Sequence, residues 1–136
     1  MILKINTTIP DTVNVSLLKE GQVFLLKDIL TPRAQSENLL LAIIDILAEA
    51  KISWSDLDGI QVVVRGGSFT SLRIGVLTAN ALAYAANLPL QAIGVDGEDL
   101  SKDNLKKFLN HKIAVPEYDG EPNIGQTKKK SKQVSN

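Results

Sequence analysis

Polar and apolar residues alternate along the N-terminal part of the chain, which is typical of β-strands that bury one face. Strands are predicted at 1–5, 12–18 and 22–28. The residues Lys19-Glu20-Gly21 form a hairpin turn between the second and third strands. Three consecutive strands with short connections predict an antiparallel meander.

The pattern changes to a helical period over residues 37–50, and Ser36 is the predicted N-cap. Apolar residues occupy an arc of roughly 220° around this helix, whereas a stripe of roughly 100° is enough to dock a helix on a sheet. The sequence leaves two explanations open. Either the long helices pack on each other, or a partner protein covers the additional apolar surface.

The central unit of the chain is an apolar strand at 60–64, a turn with two glycines, and a helix at 69–86. Gly66 and Gly67 permit backbone angles that other residues avoid, and Ser68 is placed to cap the helix. This helix has no acidic residue, and its alanines, leucines and valines lie on every side. A helix that is apolar all round is normally covered on more than one side.

The remaining elements are a strand at 91–95, an amphipathic helix at 101–110 and a short strand at 113–115. The element order therefore predicts an α/β domain over 1–115, with a five-stranded mixed sheet and helices on both faces. Residues 116–136 are rich in Gly, Pro and Lys without periodicity, and we predict a disordered basic tail there.

Composition narrows the range of functions. The chain has 136 residues, no cysteine and one histidine, so disulfides, thiolate catalysis and histidine pairs are excluded. The tail contains a cluster of lysines, Lys128, Lys129, Lys130 and Lys132. The other charged residues, eleven basic and fifteen acidic, have a net charge of −4. The body is therefore not expected to be a nucleic-acid-binding surface. The longest apolar run, 39–44, is far short of a membrane span of ~20 residues, and no signal peptide is visible, so we expect a soluble, cytoplasmic protein.

A motif at the start of the second helix carries a family resemblance. Residues 67–75 read GSFTSLRIG, and they resemble the GPGSFTGLRIG signature of the TsaB (YeaZ) family at eight of nine positions. The departures are Ser71 in place of glycine, and Arg65 and Gly66 in place of Gly-Pro. The resemblance implies a ribonuclease-H-like lobe of the kind found in actins, Hsp70-type ATPases and sugar kinases. Typical family members carry a second lobe, whereas this chain resembles the first alone.

The resemblance also implies a function in bacterial tRNA modification. Members of this family act as a non-catalytic scaffold in the synthesis of N6-threonylcarbamoyladenosine on tRNA. They pair with the transferase subunit TsaD through the first two long helices, and the ATPase TsaE joins the pair. The corresponding partner-interface residues here are Leu40, Ile44, Leu47, Arg73, Val76, Leu77 and Asn80.

Candidate catalytic positions do not carry the expected ligands. Asn6 ends the first strand where catalytic relatives of this fold have an aspartate for Mg²⁺, although Thr7 and Thr8 can still donate to a phosphate. The first helix offers only Gln35 and Asn38 where the metal-binding subunit of the pathway has two histidines. We therefore predict an accessory subunit without metal or cofactor. The alternative is a self-associating ATPase-like or kinase-like remnant with weak nucleotide binding.

Three local features have two interpretations each. Arg73 forms a salt bridge to an acidic loop residue such as Asp56 or Asp58, or it is a polar anchor at an interface. The lysine tail is a solvated segment, or it attracts tRNA weakly. The glycine turn either binds an anion or forms a close-packed corner, and the residues concerned are Gly66, Gly67, Ser68 and Thr70.

Overall fold

The computed structural model describes residues 1–118. The strands are β1 (Ile2–Asn6), β2 (Thr12–Lys19), β3 (Gln22–Leu30), β4 (Gly59–Val63), β5 (Leu90–Ile93), β6 (Lys106–Phe108) and β7 (His111–Ile113). The α-helices are α1 (Gln35–Ala50), α2 (Phe69–Ala86) and α3 (Ser101–Asn104), and a 3-10 turn covers Trp54–Asp56. No helix within this part of the chain is long and apolar enough to cross a membrane.

The main sheet has five strands in the order β3-β2-β1-β4-β5. Strands β1, β2 and β3 are antiparallel, whereas β4 and β5 run parallel to β1. Glu20 and Gly21 have φ angles of 53° and 80°, as a two-residue hairpin turn requires. The predicted mixed sheet is confirmed.

Both long helices lie on the same face of the sheet. Leu3 of β1 is paired with Leu17 of β2 and Ile60 of β4, and directly paired residues point to the same face. These three side chains are fully buried beneath α1 and α2, which also contact each other. On the opposite face, Gln61 of β4 donates to Gln91 of β5 at 2.7 Å. Gln61 and Gln91 therefore lie on the face of the sheet opposite to the two long helices.

The third helix is much shorter than predicted. It ends at Asn104, and residues 106–113 form the hairpin β6–β7 instead of continuing the helix to residue 110. The side chain of Asn104 is buried; it donates to the carbonyl of Val115 at 2.7 Å and accepts from its N–H at 3.0 Å. These tertiary hydrogen bonds end the helix, and they outweigh the amphipathic pattern on which the prediction was based.

Residues 114–118, which we call the C-terminal strap, lie along α2. Asn80 of α2 donates to the carbonyl of Ala114 at 2.9 Å and accepts from its N–H at 2.8 Å. Further along, the N–H of Glu117 donates to the carbonyl of Val64 at 2.6 Å. Helix α2 is thus covered in part by the sheet, by α1 and by the strap, while Leu77 and Tyr84 remain exposed. The rest of the predicted tail, 119–136, lies outside the described residues.

Helix α1 begins at Gln35, one residue before the predicted cap. No side chain caps it at Ala34, so the prediction of Ser36 as N-cap is wrong. Gln35 instead donates from Nε2 to the carbonyl of Thr12 at 2.7 Å, which fixes the start of α1 to β2.

Candidate protein-binding surface

Large apolar side chains are exposed on the sides of α1 and α2 that face away from the sheet. We call them the helix surface: Leu40 (45% exposed), Leu41 (62%) and Ile44 (51%) on α1, and Phe69 (37%), Leu77 (61%) and Tyr84 (65%) on α2. Isolated exposed leucines are common, but a group on two neighbouring helices is typical of a binding site for another protein.

Only part of the predicted interface lies on this surface. Leu40, Ile44, Arg73 and Leu77 are exposed as an interface requires. Their assignment to a partner stays a prediction. Leu41, Phe69 and Tyr84 were not among the predicted residues, although Leu41 belongs to the wide apolar arc of α1.

Three predicted interface residues serve the fold of the chain itself. Leu47 and Val76 are only 5% and 2% exposed, so neither is available to a partner. Each lies one helical turn after a fully buried residue, Ile43 and Leu72 respectively, on the side that faces the core. Asn80 is occupied by its two hydrogen bonds to the strap. Because the helices are apolar on several sides, the pattern alone does not distinguish the buried side from the exposed one.

A groove of about 280 Å³ separates the N-terminal parts of α1 and α2, and it is lined by Ser36, Thr70, Arg73, Ile74, Leu77 and Thr78. The guanidinium carbon of Arg73 lies 5.5 Å from the centre of the Phe69 ring. Tyr118 of the strap stacks on Phe69, with ring centres 4.3 Å apart and planes 14° from parallel. The strap therefore extends to the edge of the helix surface.

Arg73 forms no salt bridge with Asp56 or Asp58, so these two residues do not support the salt-bridge interpretation. Asp58 pairs with the N-terminal amine of Met1 at 2.7 Å. Asp56 accepts a hydrogen bond from the N–H of Ser53 at 2.8 Å, and the bonds from Ser53 lower the pKa of the Asp56 carboxyl. Among the ion pairs within residues 1–118, none includes Arg73.

The glycine turn is a tightly packed corner. Gly66 has a φ of +95°, and a Cβ there would lie 2.7 Å from a methyl carbon of Val95. A Cβ on Gly67 would lie 2.8 Å from the Cα of Thr8. These approaches favour the corner interpretation, while anion binding at this turn stays a prediction. The predicted cap is confirmed, because the hydroxyl of Ser68 accepts from the N–H of Ser71 at 3.1 Å.

The residues that depart from the family signature have structural roles here. Arg65 forms ion pairs with Glu98 at 3.5 Å and with Glu117 of the strap at 3.7 Å. The hydroxyl of Ser71 lies 2.7 Å from that of Ser68 and adds a hydrogen bond at the helix cap. Arg65 thus holds the strap to the turn, and Ser71 reinforces the start of α2.

Polar groups at the end of β1 form hydrogen bonds with other groups of the chain. Asn6 accepts from both the N–H and the hydroxyl of Thr8, at 2.9 Å and 2.6 Å. The hydroxyl of Thr7 donates to the carbonyl of Ser71 at 2.6 Å. Each hydroxyl has one hydrogen to donate, so neither threonine is free to donate to a phosphate in this arrangement.

Comparison with known proteins identifies the family of this chain. Residues 29–96 match the family model described as "TsaD: tRNA N6-adenosine threonylcarbamoyltransferase". The chain is 35% identical over 101 residues to a tRNA N6-adenosine threonylcarbamoyltransferase of Bdellovibrio bacteriovorus, in an alignment covering 71% of this chain and 28% of the relative. It superposes on YeaZ from Pseudomonas aeruginosa with a TM-score of 0.62 and 31% identity, covering 68% of this chain and 43% of that protein.

The chain thus spans less than half the length of both relatives. The match to YeaZ and the strand order confirm the predicted α/β, ribonuclease-H-like fold class. A relationship to tRNA threonylcarbamoyladenosine synthesis is supported by the family and by the names of the relatives. The chain belongs to the TsaD family of tRNA N6-adenosine threonylcarbamoyltransferases and, within it, is of the YeaZ (TsaB) type.

Proposed function

We propose that this protein is a non-catalytic scaffold subunit in tRNA threonylcarbamoyladenosine synthesis, and that it pairs with a TsaD-type transferase through the helix surface. The observation that carries the proposal is the set of exposed apolar side chains on α1 and α2. A TsaE-type ATPase would join the assembled pair, and tRNA would be reached through the complex. Both of these partners follow from the family resemblance.

Burial of the helix surface by a partner would favour association. Burying a large apolar side chain contributes about 1.5–3 kcal/mol, and association costs about 4–15 kcal/mol in lost translation and rotation. Leu41, Leu77 and Tyr84 are each more than 60% exposed. Their burial alone would roughly offset a cost in the lower part of that range, so a stable complex requires further contacts beyond these three side chains.

The charges near the helix surface indicate the character of the partner. Helix α1 carries Glu37, Asp45 and Glu49 and no basic residue, and Glu49 is paired with Lys27 at 2.7 Å. Helix α2 carries only Arg73. A partner with an apolar centre and basic residues on the side that faces α1 would complement this surface.

The end of β1 supports the non-catalytic part of the proposal. Catalytic relatives of this fold have a carboxylate at the position of Asn6, and the amide oxygen here accepts two hydrogen bonds from Thr8. An amide is a weaker ligand for Mg²⁺ than a carboxylate, and this one already has partners. Mg²⁺-dependent nucleotide binding by the isolated chain would favour the ATPase-like alternative instead.

Co-expression with the TsaD homologue of the same organism tests the proposal, using size-exclusion chromatography with light scattering. We expect a one-to-one complex that Ile44→Asp and Leu77→Asp each disrupt. Leu30→Asp is the matched control, because Leu30 is 73% exposed on β3 and points away from the helices. Separate elution of the two wild-type proteins would contradict the proposal, as would a complex that tolerates both helix variants.

A second copy of the chain is the competing occupant of the helix surface. Light scattering of the protein alone gives its mass, and the same two helix variants show whether a dimer uses this surface. A homodimer that persists while the TsaD homologue elutes separately would replace the proposed pairing with self-association.

A further inference from the structure

We propose that Arg73 binds a carboxylate side chain of the partner, and that the strap residue Tyr118 positions it for this contact. The inference rests on the proposed function and adds the chemistry of one contact within the helix surface. Arg73 lies between Phe69 and Leu77, one helical turn from each, on the exposed side of α2. A protein that covers Phe69 and Leu77 therefore also covers Arg73.

Covering Arg73 with a partner protein carries a large electrostatic cost unless a counter-charge is present. Its guanidinium is in no ion pair in the part of the chain that the structure describes. A charge that is removed from water without a counter-charge costs several kcal/mol, and arginine does not lose its proton to avoid this cost. An interface over this part of α2 therefore requires an acidic group opposite Arg73.

The groove beside Arg73 has room for an acidic side chain. Ile74 and Leu77 are its apolar lining residues, and Ser36, Thr70 and Thr78, which also line it, each carry a hydroxyl that can donate a hydrogen bond. The groove has a volume of about 280 Å³, which leaves room for a side chain from a packed helix.

The aromatic stack holds Arg73 in a suitable orientation. Its guanidinium carbon is 5.5 Å from the Phe69 ring centre, and Tyr118 stacks on the same ring at 4.3 Å. A cation–π contact occupies the flat face of a guanidinium, whereas its N–H donors point outward in the plane and remain able to bind a carboxylate at two points. Fixing the side chain before binding lowers the entropy lost on association.

Isothermal titration calorimetry with the TsaD homologue tests the inference. We expect Arg73→Gln to weaken binding by about 30-fold or more, since removing one partner of a buried charge pair has effects of this size. Arg73→Lys should restore part of the affinity, because lysine keeps the charge without the planar fork. Lys19→Gln, at the exposed β2–β3 turn, is the control and should change the affinity less than about twofold.

The role of Tyr118 is tested separately. Tyr118→Leu should weaken binding, while Tyr118→Phe, which keeps the stacked ring, should bind like the wild type. In the Arg73→Gln background, Tyr118→Leu should have little further effect, because a positioning residue acts through the group it positions. Thermal melts of each free variant identify any loss of affinity that comes from unfolding.

Charge reversal identifies the partner's acidic residue. Arg73→Glu should abolish the complex, and replacing one Asp or Glu on the first two long helices of the TsaD homologue with Arg should restore it. If the wild-type proteins associate and Arg73→Gln binds the TsaD homologue as tightly as Lys19→Gln does, this inference is overturned and the proposed function is left intact. Failure of the wild-type proteins to associate overturns both.

An acidic residue of the chain itself is the competing partner for Arg73. Asp119 follows Tyr118 directly and lies outside the described residues. If Arg73→Gln and Asp119→Asn lower the melting temperature of the free protein and their effects are not additive, the carboxylate belongs to this chain, and the inference is overturned.

Discussion

The hydroxyl of Thr7 donates a hydrogen bond to the carbonyl of Ser71 at 2.6 Å, and this buried contact joins the end of β1 to the first turn of α2. Gly75 lies one turn further along the helix, and a Cβ there would be only 2.5 Å from the same hydroxyl oxygen. The final glycine of the GSFTSLRIG motif therefore lets α2 approach β1 closely. This contact sets the position of the helix that carries half of the helix surface.

We predict that Gly75→Ala destabilises the protein by about 1–3 kcal/mol, because the new methyl group overpacks against Thr7. The sign is informative, since Gly→Ala inside a helix otherwise stabilises by roughly 0.5–1 kcal/mol. In a Thr7→Ala background the clashing oxygen is absent, and the same substitution should become neutral or stabilising. Urea unfolding of the four proteins measures the cycle. Additive effects would contradict the proposed contact between Thr7 and residue 75.

The two serines near the helix starts give a second prediction. Ser68 accepts from the N–H of Ser71 at 3.1 Å, whereas the side chain of Ser36 does not cap α1. Ser68→Ala should therefore cost about 1 kcal/mol, within the usual range of roughly 0.5–2 kcal/mol for a lost cap. Ser36→Ala should have almost no effect on the free energy of unfolding. Equal losses in the two variants would show that Ser36 acts as a cap after all.

Local patterns were sufficient to predict the sheet and the start of α2. The alternation in β1 to β3, the apolar run of β4 and the cap at Ser68 each depend on neighbouring residues, and the structure contains all of them. The end of α3 depends instead on Asn104, whose hydrogen bonds reach Val115. Such a contact joins residues that are not neighbours along the chain and leaves no periodic signal.

The candidate interface was also predictable only in part. The excess of apolar residues on α1 and α2 indicated that more than one side of each helix is covered. The sequence pattern does not specify which side faces the core, and this is why the predicted interface includes Leu47 and Val76, which are buried. The strap was missed because 114–118 contains no periodic pattern, and asparagine side chains hold two of its residues.

Asn80 distinguishes a structural role from a partner-binding role. Its side-chain amide makes two hydrogen bonds to Ala114, at 2.9 Å and 2.8 Å. Asn80→Ala removes both, and we expect a loss of about 1–3 kcal/mol in the free energy of unfolding, since the backbone groups of Ala114 lose their partners. Hydrogen exchange at the amide of Ala114 should accelerate, whereas Asn110→Ala, at the exposed β6–β7 turn, should leave it unchanged.

The same variant also tests the original assignment of Asn80 to the interface. If Asn80 acts through the strap, then Asn80→Ala changes partner binding only as far as it displaces Tyr118 from Phe69. Its effect on affinity should then largely disappear in a Tyr118→Leu background, because that contact is already lost. A loss of affinity that persists there, with normal stability and normal exchange at Ala114, would mean that Asn80 contacts the partner directly. The strap would then be a neighbour of the binding surface rather than a part of it.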